Sequence, residues 1–234
     1  NISVKEYLEK SDKFKSNYKG YKVAVEFKEK DLKINSYFLG LWLGDGSKQK
    51  VSVYTQDEEV IQFLNEYAKE LGLQVREYIA QDKCPEYSIT NGKQIDGKTE
   101  FSLQKLLREE HLLGNKHIPT AYLVNSKENR LNLLAGLLDS DGYYTKEFNG
   151  YEITQKNEEL AKQIKYLCDT LGFKTSLVKK KAKIKEIDFE SDVYRVRIFG
   201  DIDKIPAKIE RKKARAWTAN RTWNQTGISI EKDI

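Results

Sequence analysis

Two aspartates stand at matching ends of two apolar runs. Asp45 closes Phe38-Leu39-Gly40-Leu41-Trp42-Leu43-Gly44-Asp45-Gly46, and Asp141 closes Leu134-Ala135-Gly136-Leu137-Leu138-Asp139-Ser140-Asp141-Gly142. Aligned on the final Asp-Gly, Gly40 meets Gly136 and Gly44 meets Ser140. A run that is apolar all round is a buried helix. Small residues four apart let two helix backbones approach closely. Packing the two runs against each other would bring Asp45 and Asp141 together at one end. Two carboxylates there repel each other, and the negative ends of the helix dipoles add to the cost. A divalent cation offsets that charge. Oxygen ligands without His or thiolate favour Mg²⁺ or a similar hard ion such as Mn²⁺. One Asp-Gly alone is no more than a helix-ending turn. Its recurrence at equivalent positions is what points to chemistry.

The elements that must position these acids also come in duplicate. Val53-Tyr54-Thr55-Gln56 precedes a stretch ending in Leu71-Gly72-Leu73, and Glu152-Ile153-Thr154-Gln155 precedes one ending in Leu171-Gly172-Phe173. Between them, Val60, Ile61, Leu64, Tyr67, Ala68 and Leu71 recur at helical spacing, as do Leu160, Ala161, Ile164, Leu167, Cys168 and Leu171. Gly72 and Gly172 sit where a C-terminal cap belongs. Each half closes on an Ile-Pro, Ile118-Pro119 and Ile205-Pro206. Strand patterns are expected at 50–56, 74–80 and 86–90, then at 143–148 and 151–155 flanking Asn149-Gly150, a strong hairpin signal. A last pair spans 174–181 and 192–199. The fold class is therefore α+β. Two lobes, 36–121 and 127–215, each read helix, two strands, helix, two strands, helix. Residues 122–126 read as a linker, with extensions at 1–35 and 216–234. In the first extension, a short helix is expected over 3–10 and a strand over 21–27.

Composition narrows the function. The chain has 234 residues, 11% aromatic, with 41 basic and 36 acidic side chains. From Lys174 to Arg215 there are 14 basic against 7 acidic residues, a local +7. Such clustering suits a phosphate-backbone binder, although a solubilising surface reads the same way. No apolar run reaches the roughly 18–20 residues of a membrane span, and the charged first ten residues do not read as a signal peptide. Cys84 and Cys168 are too far apart in sequence for a recognisable disulfide or zinc motif, so a reducing, intracellular compartment is expected. The lack of methionine suggests a fragment or a processed chain.

Leu134 to Gly142 resembles the LAGLIDADG motif of homing endonucleases almost letter for letter, and Phe38 to Gly46 resembles a looser first copy. With Lys116-His117-Ile118-Pro119 and Arg211-Lys212-Lys213-Ala214, the resemblance is to the intein-encoded, vacuolar-ATPase type and covers about residues 36–215. It implies two pseudo-symmetric αββαββα lobes, paired central helices and a saddle of β-sheets over double-stranded DNA. It implies a monomeric, Mg²⁺- or Mn²⁺-dependent endonuclease that cuts one phosphodiester per strand at a long site and leaves short 3′ overhangs.

By position, the implied metal-binding and catalytic aspartates are Asp45 and Asp141. Asp139 has a lesser part, because Leu43 stands at its equivalent. The family also implies a lysine near each centre. Lys116 matches the first; for the second Lys213 is chosen, with Lys212 the alternative. Gln56 and Gln155 are accessory candidates for positioning water or phosphate. DNA contacts are expected from Arg195 and Arg197, which alternate onto one strand face, and from Lys179, Lys180, Lys181, Lys183 and Lys185 along a hairpin. Protein splicing would need a first-residue nucleophile and a terminal His-Asn, so a chain running from Asn1 to Ile234 is not expected to self-splice. The competing reading is a non-catalytic nucleic-acid binder on the same scaffold, an RNA-splicing maturase or a DNA-binding regulator.

Overall fold

The structure is a computed structural model that describes residues 2–91, 102–184, 189–218 and 224–230. In chain order the elements are α1 (Val4–Leu8), α2 (Asp12–Asn17), β1 (Gly20–Tyr21), α3 (Ser36–Asp45), β2 (Ser52–Tyr54), α4 (Glu58–Glu70), β3 (Gln74–Tyr78), β4 (Glu86–Thr90), α5 (Leu103–Glu109), α6 (Thr120–Leu123), α7 (Lys127–Asp141), β5 (Gly142–Thr145), β6 (Gly150–Gln155), α8 (Glu158–Thr170), β7 (Lys174–Ile184), β8 (Phe189–Phe199) and β9 (Gln225–Thr226). Two 3₁₀ turns, Ile202–Lys204 and Glu210–Lys212, follow β8.

The two apolar runs form α3 and the C-terminal part of α7, packed together at the centre. Asn35 caps α3 by accepting from Phe38 N, and Ser126 caps α7 by accepting from Asn129 N. From Ser36 to Leu43 every residue of α3 is buried. The flanking α4 and α8 are amphipathic and bury Val60, Leu64 and Tyr67, and Leu160, Ile164 and Leu167. Both end alike. Gly72 and Gly172 take positive φ, 67° and 86°. Leu73 N then donates to Ala68 O at 2.7 Å, and Phe173 N to Cys168 O at 3.1 Å. With Gly72 N on Lys69 O and Gly172 N on Asp169 O, both at 3.0 Å, this is the paired capping of the last carbonyls that a single left-handed glycine allows at an α-helix end.

Each lobe carries an antiparallel sheet. In the first lobe the order is β2-β4-β3, and in the second β5-β6-β8-β7. The repeat is less regular than the sequence suggests. Among the described residues the first lobe shows no strand equivalent to β5; an isolated bridge, Gly46 to Val53, stands in its place. The second lobe ends in 3₁₀ turns rather than a helix, because Pro206 interrupts the segment. The expected hairpin at Asn149-Gly150 is also wider. Thr145 pairs with Gly150, so the loop is 146–149 and only Asn149 is left-handed, at φ 44°. Gly150 is needed for space, since a Cβ there would lie 2.4 Å from the Phe199 ring.

The segments outside the lobes are built in. The strand expected over 21–27 is limited to β1, which pairs with β9. The chain beyond β1 runs across the second lobe. Val25 N donates to Thr170 O at 2.8 Å, and Lys22 pairs with Asp169. The fully buried Arg130 donates to Val25 O at 2.6 Å, Asn125 O at 2.9 Å and Thr170 Oγ1 at 2.9 Å. Within 122–126, Tyr122 is buried and its hydroxyl bonds both Ile34 N and Ile34 O. No helix among the described residues is long and apolar enough to cross a membrane.

Candidate active site at the crossed helix ends

The helices meet through glycine. A Cβ on Gly40 would lie 2.3 Å from Leu133 O, and one on Gly44 2.1 Å from Ser140 Oγ and 3.3 Å from Asp141 Cγ. The absence of side chains lets both C-termini converge, so Asp45 and Asp141, the last residues of α3 and α7, share one electrostatic environment. Burial raises the Asp45 carboxyl to about 6, with the Asp141 charge adding to the rise and Lys212 and Lys116 opposing it. Burial also raises Asp141, against the pull of Gln155, Lys116 and Lys212. Gln155 Nε2 donates to Asp141 Oδ2 at 2.5 Å. The equivalent Gln56 is exposed and makes no hydrogen bond among the described residues.

A lysine closes each helix end. Lys116 Nζ donates to Gly44 O at 3.0 Å and Gly46 O at 2.8 Å. Lys212 Nζ donates to Leu138 O, Asp139 O and Ser140 O at 2.7–2.9 Å. A cation at a helix C-terminus satisfies orphan carbonyls and the dipole together. Burial lowers Lys116 to about 8 and also lowers Lys212, although nearby aspartates oppose both shifts. Lys213 points elsewhere, pairing with Glu210 at 2.6 Å on the surface. Lys212, not Lys213, is therefore the geometric counterpart of Lys116. The local geometry explains it: Ile209 is buried three residues earlier, and in a 3₁₀ turn residues three apart share a face, so Lys212 turns inward with it.

Sequence reasoning missed the supports. Asp139 is buried and accepts from Tyr37 OH at 2.6 Å, Lys208 N at 2.6 Å and Ile209 N at 3.4 Å. It anchors the segment that delivers Lys212. Each lysine-bearing tail also leans on the opposite lobe. Asn157, the N-cap of α8, donates to Lys116 O at 3.1 Å. Arg211 pairs with Asp57, the N-cap of α4, at 2.7 Å, and Glu210 N donates to Glu59 Oε1 at 3.0 Å.

The donor set suits a hard cation: two carboxylates, both held above their ordinary range by burial, with a cleft of about 390 Å³ beside Lys116 and Gln155. No cluster of three or more acids, histidines or cysteines completes a cage among the described residues. Water and substrate oxygens would fill the remaining positions, as is usual for Mg²⁺.

The proposed DNA-facing residues divide between two faces. Val196 and Ile198 are buried on the helix side of β8, so Arg195 and Arg197 point to the opposite, open face. Register places Lys180 on that open face, across from Val193. Lys179 and Lys181 fall on the other side, paired with Asp192 at 2.8 Å and Glu190 at 2.5 Å. Lys183 lies within β7, and Lys185 lies outside the described residues.

The model of the LAGLIDADG-like domain matches residues 33–98 and 128–204. Among curated proteins, the replicative DNA helicase DnaB of Mycobacterium intracellulare is 31% identical over 160 residues, 68% of this chain and 23% of that protein. The ATP-dependent DNA helicase Hel308 of Thermococcus kodakarensis is 25% identical over 203 residues, 79% of this chain and 17% of the relative. The homothallic switching endonuclease of Saccharomyces cerevisiae is 31% identical over 142 residues, 52% of this chain and 23% of the relative. The chain thus spans less than a quarter of the length of each. A solved structure of the homing endonuclease I-DmoI aligns with a TM-score of 0.48 at 17% identity, covering 70% of this chain and 87% of that one.

Proposed function

The chain belongs to the LAGLIDADG-like domain family, and from that premise we propose that it is a site-specific homing endonuclease cutting both strands of double-stranded DNA. One observation carries the reading: two carboxylates from equivalent positions of the duplicated runs converge where α3 and α7 end, and a lysine closes each of those helix ends. Among the relatives, one is named an endonuclease; the two helicase names belong to proteins of which this chain matches less than a quarter.

Asp45 and Asp141 would hold Mg²⁺ or Mn²⁺, which when bound supplies Lewis-acid stabilisation and a more acidic water. Gln155 fixes the orientation of the Asp141 carboxylate. Lys116 and Lys212 offer positive charge to the phosphate as its own charge grows in the transition state. Burial makes each ammonium count for more than it would in bulk water. The two lobes, 36–121 and 127–215, would each serve one strand, so a monomer suffices, acting inside the cell where its DNA lies. Residues 1–35 and 216–234 would connect this unit to a host domain of the intein kind. The open sheet faces would read the DNA and leave the helix ends at the cut.

Incubation of the monomeric chain with a randomised duplex library and Mg²⁺, followed by sequencing of the ends, tests this. A long, unique site with short 3′ overhangs is expected. Specific binding with no cleavage in either metal would instead favour a maturase or a regulator.

A further inference from the structure

Glu152 on β6 contacts two arginines at once. Its Oε1 lies 2.9 Å from Arg195 Nε, and its Oε2 lies 3.0 Å from Arg197 Nε. Register sets Glu152 across from Arg197 and Thr154 across from Arg195, so the three side chains form one group on the open face of the sheet. Arg197 Nε donates to the carboxylate, which fixes that guanidinium plane. Arg195 Nε is buried beside the other oxygen as an ion pair without hydrogen-bond geometry, so charge alone holds it there. The terminal nitrogens of both have no other partner among the described residues. Beside Arg197 an open hollow of about 530 Å³ is lined by Tyr143, Thr145, Phe148 and Phe199.

We propose that Arg195 and Arg197 are guanine-reading residues in the half-site under the second lobe and that Glu152 is their positioning residue. The proposal rests on the reading of this chain as a DNA-binding enzyme. The carboxylate is the informative part. Between two phosphate-binding cations it would repel the backbone and cancel half of their charge. Beside two base-reading forks it costs less, because discrimination there comes from matching two N–H donors to two acceptors, guanine N7 and O6, rather than from net charge. A guanidinium already oriented also loses less freedom on binding than a free one. Lys180, on the same face and without a carboxylate partner among the described residues, is the kind of cation that suits a phosphate. Residues two apart along a strand are separated by about 6.6–6.8 Å, close to two base steps of about 3.4 Å. Two guanine positions about two steps apart are therefore expected.

The test selects duplex DNA from a randomised library with the whole chain, Ca²⁺ replacing Mg²⁺ to suppress cutting. The affinity of the selected site and its single-base variants is then measured for wild type, Arg195→Gln, Arg197→Gln and Glu152→Gln. Wild type should favour guanine at two positions by about 5- to 150-fold each. Each arginine-to-glutamine variant should move one position towards adenine, the base whose N6 and N7 match a glutamine amide. Glu152→Gln should weaken both preferences while leaving the salt dependence unchanged. If the glutamine variants instead weaken all sequences alike and flatten the salt slope by about one, the arginines hold phosphates and the proposal is overturned. A selected site indifferent to all three variants also overturns it while leaving the DNA-binding reading intact. A wild type that selects no DNA overturns both.

Discussion

Gly40 and Gly136 lie back to back where α3 crosses α7. A Cβ on Gly136 would sit 2.1 Å from Tyr37 O and 3.0 Å from Gly40 Cα, and one on Gly40 would sit 2.9 Å from Gly136 Cα. The neighbours at these points are backbone atoms of two buried helices, so they cannot swing aside. The crossing therefore sets how closely the two C-terminal aspartates approach.

Gly136→Ala should lower stability by at least the roughly 1–3 kcal/mol typical of an overpacked core, and it should reduce cleavage of both strands together. Urea denaturation checks the first part. Gly227→Ala, where an added Cβ meets nothing within 4 Å, serves as the control. A Gly136→Ala protein as stable as wild type would contradict the close crossing.

Lys212→Met should slow cleavage by about 10²-fold, the scale of losing one electrostatic donor, while Lys213→Met should stay within a few-fold of wild type. Lys212 Nζ sits on three helix-end carbonyls, and Lys213 on surface Glu210. Strand-labelled DNA would show whether the Lys212 defect falls mainly on one strand. The reverse ranking of the two variants would return the role to Lys213.

This pair shows where the sequence stops being legible. The apolar Asp-Gly runs, α4, α8 and their glycine caps were readable because period, cap and burial all agree within a few residues of one another. The choice between Lys212 and Lys213 depends on a 3₁₀ turn after Pro206, which has no counterpart at Pro119. Lys116 precedes its Ile-Pro and Lys212 follows its own, so internal alignment gives no register there. Asp139 had no matching acid in the first run, and its partners, Tyr37 and the 208–209 backbone, are remote in sequence. Glu152 is silent in the sequence for the same reason: its value lies in a cross-strand pairing.

Arg130→Met should destabilise the chain by several kcal/mol. The guanidinium is fully buried and holds the carbonyls of Val25 and Asn125, which the thioether would leave unsatisfied. Removing residues 2–31 should produce a similar loss, because this segment covers the far end of α8 through Val25 and Lys22. Denaturant midpoints of the two variants and of their combination give the coupling. Strictly additive losses would mean that the arginine and the strap act independently.

Asp45→Asn should abolish double-strand cleavage and leave specific DNA binding largely intact, and it carries a pH signature that separates chemistry from architecture. The Asp45 carboxyl lies near 6 in the folded chain against an ordinary value of 3.8, chiefly through burial and then through Asp141. Between those values the folded state binds more protons than the unfolded state, so stability falls as pH rises through about 4 to 6. The amide cannot ionise. Without metal, the variant should therefore be more stable than wild type above pH 6, and the difference should shrink towards pH 4. Added Mg²⁺ should reverse the order at neutral pH, since a cation that binds only the folded wild type stabilises it by mass action. Melting temperatures across pH 4–8, with and without Mg²⁺, read both effects, and a gel shift with a cleavage assay on one target reads the rest. If the variant is less stable than wild type at every pH and loses binding along with cleavage, Asp45 serves the helix crossing rather than the cut. If it cuts at near wild-type rate, the cation is held elsewhere.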